Sequence, residues 1–237
     1  MKKYFLLIGP KNYLFEKGKF NTEYGIVDLR KAKVGNRIKS SAGKIFYVTE
    51  PSILDMMHKA SRGPQVVLPK DAGAIIAATG CSPGWRVVDA GAGSGFLSMF
   101  LANLGCKVYS YENRKQFYEV AKKNVSKFGK DVTIYHKDIS KGIKEKNADL
   151  ITLDLENPEK VLKHASKTLR IGGWVVVYSM HVEQVKKVIK ELKKYNFSDP
   201  GIIENVWISW QSKGEATRPR THLGHTGFLT FARKVGP

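Results

Sequence analysis

Arg86-Val87-Val88-Asp89-Ala90-Gly91-Ala92-Gly93-Ser94-Gly95-Phe96 is the stretch on which the fold turns. Its first five residues are mostly apolar, as in a parallel strand buried on both faces. Glycines at positions 91, 93 and 95 follow, where a backbone can bend tightly and a ligand can come close to it. Phe96 to Leu104 reads as the next helix, whose first amides face an anion. Several nucleotide folds use a glycine-rich turn, but this spacing is GxGxG, whereas dinucleotide binders use GxGxxG. Asp89, just before the turn, repels a pyrophosphate and suits an ammonium. A zwitterionic amino-acid group fits both halves, its carboxylate on the amides and its amino group towards Asp89.

Outward from this turn, strand and helix patterns alternate. Lys107 to Tyr111 is a second strand, and Lys115 to Phe128 a helix that Gly129 stops. Val132–Tyr135 and Leu150–Leu153 are strands three and four. Asn157 is placed to cap a helix with Pro158 at its first position, closed by Gly172-Gly173. Trp174–Tyr178 is a fifth strand, His181–Tyr195 a fifth helix, and two β-rich runs, Ile202–Trp210 and Gly227–Arg233, follow. The pattern predicts an α/β Rossmann-like fold over residues 65–237, a mostly parallel seven-stranded sheet with helices on both faces. Residues 1–64 instead alternate short apolar runs such as Tyr4–Ile8 and Ile45–Val48 with turn residues, which predicts a small β-domain. That domain is basic, with Lys17, Lys19, Arg30, Lys31, Lys33, Arg37, Lys39 and Lys44.

In such folds ligands sit at the carboxyl ends of the strands. Acids stand there after each of the first four strands, at Asp89, Glu112, Asp138 and Asp154. Glu112 can accept both hydroxyls of a ribose, and Asp138 the exocyclic amino group of an adenine. One such acid alone reads equally well as a helix cap or a solvated turn residue. In series they outline a nucleoside with an amino-acid tail, which is S-adenosylmethionine. Asp154 then lies beside the expected methyl group and faces the substrate. Tyr178, at the end of the fifth strand, offers a flat face across the same crevice, or is a core tyrosine.

Forty Lys and Arg against 21 Asp and Glu give a net charge of +19. That excess attracts a polyanion, whether nucleic acid, an anionic membrane surface or a phosphorylated small molecule, or else marks a solvated basic surface. Cys81 and Cys106 show no metal-ligand spacing and read as small buried hydrophobes, so no metal is expected. The apolar run Tyr4–Ile8 is too short for a signal or a membrane span, and a cytoplasmic, soluble protein is expected.

The sequence resembles the tRNA adenine-N1 methyltransferases that modify position 58 of the T-loop, and in archaeal members also 57. The resemblance rests on Arg62-Gly63-Pro64-Gln65-Val66-Val67-Leu68-Pro69-Lys70-Asp71, the Asp89–Gly95 turn and Tyr111-Glu112-Asn113-Arg114. It continues through Lys137-Asp138-Ile139, Leu153-Asp154-Leu155 and His225-Thr226-Gly227-Phe228-Leu229-Thr230. The Gly63–Asp71 stretch and His225-Thr226 are its more specific parts, and Leu68 looks like the archaeal branch. The resemblance implies a class I methyltransferase in which Gly91, Gly93, Ser94, Gly95, Phe96 and Leu97 form the methionine end of the cofactor site. It implies that Glu112 takes the ribose, that Phe117 packs nearby, that Asp138 holds the adenine, and that Asp154, itself also in contact with the cofactor, and Tyr178 face the target base. It also implies a homotetramer whose N-terminal domain helps engage tRNA. Two places depart from the family pattern: Glu156, where proline is common, and Ser179-Met180-His181.

Other readings compete. A methyltransferase for another RNA, a small molecule or a protein explains the cofactor motif but leaves the charge without a role. A non-catalytic tRNA-binding subunit sits poorly with intact Gly91, Gly93, Gly95, Glu112 and Asp138. The glycine spacing and Asp89 disfavour a nicotinamide-dependent oxidoreductase.

Overall fold

The computed structural model describes residues 4–61, 63, 66–221 and 224–236. Arg62, Pro64 and Gln65 of the Arg62–Asp71 stretch therefore lie outside the described residues. The chain separates into two compact units, one running to Ser61 and taking in Ser126–Phe128, the other comprising the rest.

The first unit is β-rich: β1 (Tyr4–Ile8), β2 (Tyr13–Glu16), β3 (Lys19–Thr22), β4 (Gly25–Asp28), β5 (Arg37–Lys39) and β6 (Ile45–Thr49). Strands β2, β1, β6 and β5 form one antiparallel sheet, while β3 and β4 pair as a hairpin. Alternate residues Phe5, Leu7, Phe46 and Val48 point into one small core. A short helix, α1 (Ile53–Lys59), ends the unit. Ser52 and Asp55 start it with a capping box, each side chain taking the other's backbone amide. All eight basic residues named above are exposed.

The second unit opens with α2 (Pro69–Thr79), bracketed by Pro69 at its first position and Gly80 in the left-handed region at its end (φ +70°). The alternation follows: β7 (Arg86–Ala90), α3 (Phe96–Asn103), β8 (Lys107–Glu112), α4 (Lys115–Phe128), β9 (Val132–His136), β10 (Ala148–Leu153), α5 (Leu162–Thr168), β11 (Leu169–Ser179) and α6 (Val182–Leu192). The chain finishes with β12 (Gly201–Glu204), β13 (Trp210–Lys213), β14 (Ala216–Pro219) and β15 (Phe228–Arg233). The seven-stranded sheet has the order β12-β15-β11-β10-β7-β8-β9. It is parallel from β11 to β9, with β15 antiparallel to both of its neighbours. Val88, Ile151 and Val175 face one core with α5 and α6, while Val87, Leu150 and Val176 face the other with α2 and α3. Two buried faces are why these strands read as continuous apolar runs. Cys81 and Cys106 are both buried, with free thiols 3.5 Å apart. Among the described residues, no helix is long and apolar enough to cross a membrane.

Three local expectations fail. Asn157 makes no side-chain cap, and Pro158–Val161 is a turn of 3-10 helix before α5. Gly172 and Gly173 do not close that helix, since they lie inside β11, where the pairing with β10 shifts register. A Cβ on Gly173 would come within 3.0 Å of the Ala148 carbonyl, so the glycine lets the bulged strand lie against β10. The Ile202–Trp210 run is not one strand, because its ladder with β15 ends at Glu204–Phe228 and Trp210 pairs in a separate hairpin instead.

Candidate active site

A cleft of about 810 Å³ opens at the carboxyl ends of the central strands. Gly91, Gly93, Glu112, Asp138, Asp154 and Tyr178 all line it. The β7–α3 turn needs its glycines, because positions 91, 93 and 95 take φ of +85°, +53° and +76°. Position 91 is also a matter of space. A Cβ there would stand 1.9 Å from the Asp154 carbonyl oxygen, while the Asp154 N–H donates to the Ala90 carbonyl at 2.8 Å. The turn thus fixes the loop that follows β10.

Glu112, 3% exposed, has one oxygen accepting the Gly93 N–H at 3.0 Å and the other accepting the Arg114 N–H at 2.9 Å. Two backbone amides therefore aim a carboxylate that keeps lone pairs free for further donors. Asp138 caps the 3-10 turn Ile139–Lys141 through Oδ1, which accepts the Ser140 N–H at 2.9 Å, and the Ser140 side chain first and this backbone bond second lower its pKa. Its second oxygen takes no part in the cap.

Asp154 is different in kind. No hydrogen bond or ion pair reaches its carboxylate from the described residues, and burial pushes its pKa up to about 7. The charge of Asp89 adds to that rise, and Arg114 opposes it. An unpaired, desolvated acid in a cleft marks a functional site more often than a structural one.

Asp89 does not reach the lining. It is 2% exposed, and its oxygens accept the hydroxyls of Ser98 at 2.5 Å, Thr152 at 2.7 Å and Ser110 at 3.0 Å. The expectation that it meets an ammonium directly thus encounters a carboxylate already engaged, whose reach into the cleft is its charge acting on Asp154. Ser94, Phe96 and Leu97 are also buried. Ser94 Oγ accepts the Gly63 N–H at 2.6 Å, and the cleft lining includes none of these three residues. Phe117 lies outside the lining, half-buried beneath the Arg114 guanidinium, whose centre is 4.2 Å from the ring centroid.

Tyr178 gives its hydroxyl to the Thr226 carbonyl at 2.5 Å, so its ring is what faces the cleft. The ring leaves no room for a side chain at Gly227, where a Cβ would lie 2.5 Å from Cζ. Behind Thr226, the Lys70 ammonium donates to Thr226 Oγ1 at 2.8 Å, to the Asn205 carbonyl at 2.5 Å and to Asp71 Oδ1 at 2.7 Å. Both nitrogens of His225 face acceptors, Glu204 Oε1 at 2.5 Å and the Met180 carbonyl at 3.0 Å. The bond to Glu204 is the largest cause of its raised pKa, with the Met180 carbonyl next. The sequence marks Lys70-Asp71 and His225-Thr226 as distinctive without showing what they hold. Their task is to hold Tyr178 and the rim beside it.

A family profile described as "tRNA methyltransferase complex GCD14 subunit" matches residues 54–218. The chain belongs to this family. It is 35% identical, over 94% of its length and 91% of the relative's, to tRNA (adenine(57)-N(1)/adenine(58)-N(1))-methyltransferase TrmI of Methanocaldococcus jannaschii. Among solved structures, an S-adenosylmethionine-dependent O-methyltransferase from Thermotoga maritima superposes with a TM-score of 0.85 at 30% identity, covering 100% of this chain and 94% of that one. The tRNA (m1A58) methyltransferase TrmI of Aquifex aeolicus gives a TM-score of 0.80 at 25% identity, covering 100% and 99%. The GCD14-family chain thus has the class I methyltransferase fold. In it, Gly91→Ala is expected to drive the Asp154 loop outward by about an ångström, and kcat should fall about 100-fold. Steady-state kinetics on the folded variant checks this.

Proposed function

We propose that this chain transfers the methyl group of S-adenosylmethionine to N1 of adenine 58, and of adenine 57, in the T-loop of tRNA. The observation that carries the reading is the free, desolvated carboxylate of Asp154 at the end of β10, opposite the Tyr178 ring. The lining fits an adenosyl group. Glu112 is aimed by two amides to accept ribose hydroxyls, Asp138 keeps an oxygen for an exocyclic amino group, and the glycine turn admits a ligand against the backbone. When bound, S-adenosylmethionine would supply an electrophilic methyl on a sulfonium. Asp154 accepts a hydrogen bond from N6 of the target adenine, turns N1 towards the methyl and stabilises the positive charge that develops on the ring. Tyr178 stacks on the base and excludes water on that side.

N1 is a pairing edge, so the base must leave its stack at a cost of about a few kcal/mol. The basic first unit offsets this through phosphate contacts and serves as the RNA-engaging domain, with affinity that falls as salt rises. The protein works in the cytoplasm as a homotetramer. Trp207 and Trp210, 67% and 61% exposed, and the exposed edge strand β12 each offer surface suited to burial against a second copy. Light scattering should read four times the chain mass.

Because the Tyr178 hydroxyl already serves Thr226, Tyr178→Phe should keep kcat within about 3-fold. Tyr178→Ala should lower it about 5- to 150-fold, from about 1–3 kcal/mol of lost stacking. Equal losses in the two variants would assign the chemistry to the hydroxyl. The function itself is tested by incubating the protein with labelled S-adenosylmethionine and an unmodified tRNA transcript, then mapping methylated nucleosides by mass spectrometry. 1-Methyladenosine at 58 and 57 is expected; label elsewhere, or only in small molecules, overturns the assignment.

A further inference from the structure

Gln184 has one side-chain amide and uses both ends of it across the cleft rim. Nε2 donates to the Leu155 carbonyl at 2.8 Å and to the Glu156 carbonyl at 3.1 Å, while Oε1 accepts the Met180 N–H at 3.2 Å. Leu155 and Glu156 follow Asp154 out of β10, and Met180 lies two residues beyond Tyr178 at the end of β11. All of them line the cleft. These are also the segments where the sequence departs from the family pattern. On its other side the Met180 peptide is held by His225, whose ring bonds the Met180 carbonyl at 3.0 Å.

We propose that Gln184 is a positioning residue for methyl transfer, strapping the loop that carries Asp154 to the loop that follows Tyr178 and so fixing the gap into which the target base fits. This inference rests on the reading of Asp154 and Tyr178 as base-facing residues. The plainer alternative is helix capping. Gln184 is the third residue of α6, and a glutamine there commonly reaches back to an amide just before the helix. Capping accounts for the Met180 bond alone. It does not account for the two bonds to carbonyls 28 and 29 residues away.

The two roles respond oppositely to one substitution. In Gln184→Glu the carboxylate still accepts the Met180 N–H, and its charge suits a helix N-terminus. It cannot donate, however, and faces two carbonyl oxygens. A cap would be preserved, whereas a strap would be cut. Gln184→Glu should lower kcat on tRNA at least 10-fold, keep S-adenosylmethionine affinity by calorimetry within 2-fold, and leave Tm no lower than that of the parent. Gln184→Leu, which adds no charge near Asp154, should be slowed as much. Full activity in Gln184→Glu, or a loss of cofactor affinity equal to the loss of kcat, overturns the proposal. Asp154→Asn measured in parallel separates the layers. If it runs at full rate, the underlying site reading is overturned; if it is slow while both Gln184 variants run at full rate, only the strap is.

Discussion

Asp154→Asn is expected to lower kcat about 10²–10³-fold while S-adenosylmethionine binds within 2-fold of its parental affinity. Asparagine keeps the size of the side chain and one acceptor oxygen but cannot place a negative charge against the adenine ring as it becomes cationic. The same substitution should stabilise the protein. The folded pKa of about 7 lies above the ordinary 3.8, so the neutral acid is favoured in the fold. Relative to the unfolded chain, that preference stabilises the fold below about pH 4 and is lost as pH rises through 7. At pH 8 the parent bears a buried charge that Asp154→Asn lacks, and the variant should be more stable by about 1–4 kcal/mol, from about 1.4 kcal/mol per pKa unit. Chemical denaturation at pH 5 and pH 8 measures the difference. In the parent, kcat/KM should rise with pH through about 7 as the carboxylate forms, and Asp154→Asn should lose that limb. A variant that keeps the limb, or loses cofactor affinity in step with kcat, would place Asp154 in the cofactor site instead.

Lys70→Met should destabilise the fold by about 3–5 kcal/mol, the usual cost of stranding one partner of a buried ion pair. The Lys70 and Asp71 side chains are 10% and 1% exposed, and Asp71 Oδ2 has no hydrogen-bond partner among the described residues. Removing the ammonium leaves Asp71 charged without compensation and frees the Asn205 carbonyl and Thr226 Oγ1 together. For a chain of this length the loss corresponds to a Tm lower by about 6–20 °C. Lys70→Met combined with Asp71→Leu should recover most of the stability. Its kcat should return to within about 3-fold of the parent, as in Tyr178→Phe, because the Tyr178 ring and not its bond to the Thr226 carbonyl faces the base. Calorimetric melting of the three proteins, with kinetics below their transitions, tests both parts.

What could be read from the chain alone follows the range of the interactions involved. The β7 turn, the acids after β8 and β10 and the parallel sheet depend on local spacing and on strands buried on both faces, so the sequence displays them. Helix α2 is marked locally too, by Pro69 and Gly80, and α1 by Ser52 and Asp55, but these signals are weak beside the strand patterns. Gly172-Gly173 looked like a helix terminator because the carbonyl that requires a glycine there belongs to Ala148, on a strand more than twenty residues earlier. Asp89 stood out as an acid beside a glycine turn. The three hydroxyls that engage it come from α3, β8 and β10, and no spacing brings them together. The clasp of His225, Thr226 and Gly227 around Tyr178 and Met180 is likewise made by the antiparallel pairing of β15 with β11. Sequence marks those residues as distinctive; only the fold shows what they hold.

The most direct test is a crystal structure of the protein grown with S-adenosylmethionine. The ribose hydroxyls should lie within about 3.2 Å of the Glu112 oxygens, a normal hydrogen bond, with the adenine beside Asp138 and the methyl directed at the gap between Asp154 and Tyr178. A ligand bound elsewhere, or one whose methyl points away from Asp154, would contradict the account.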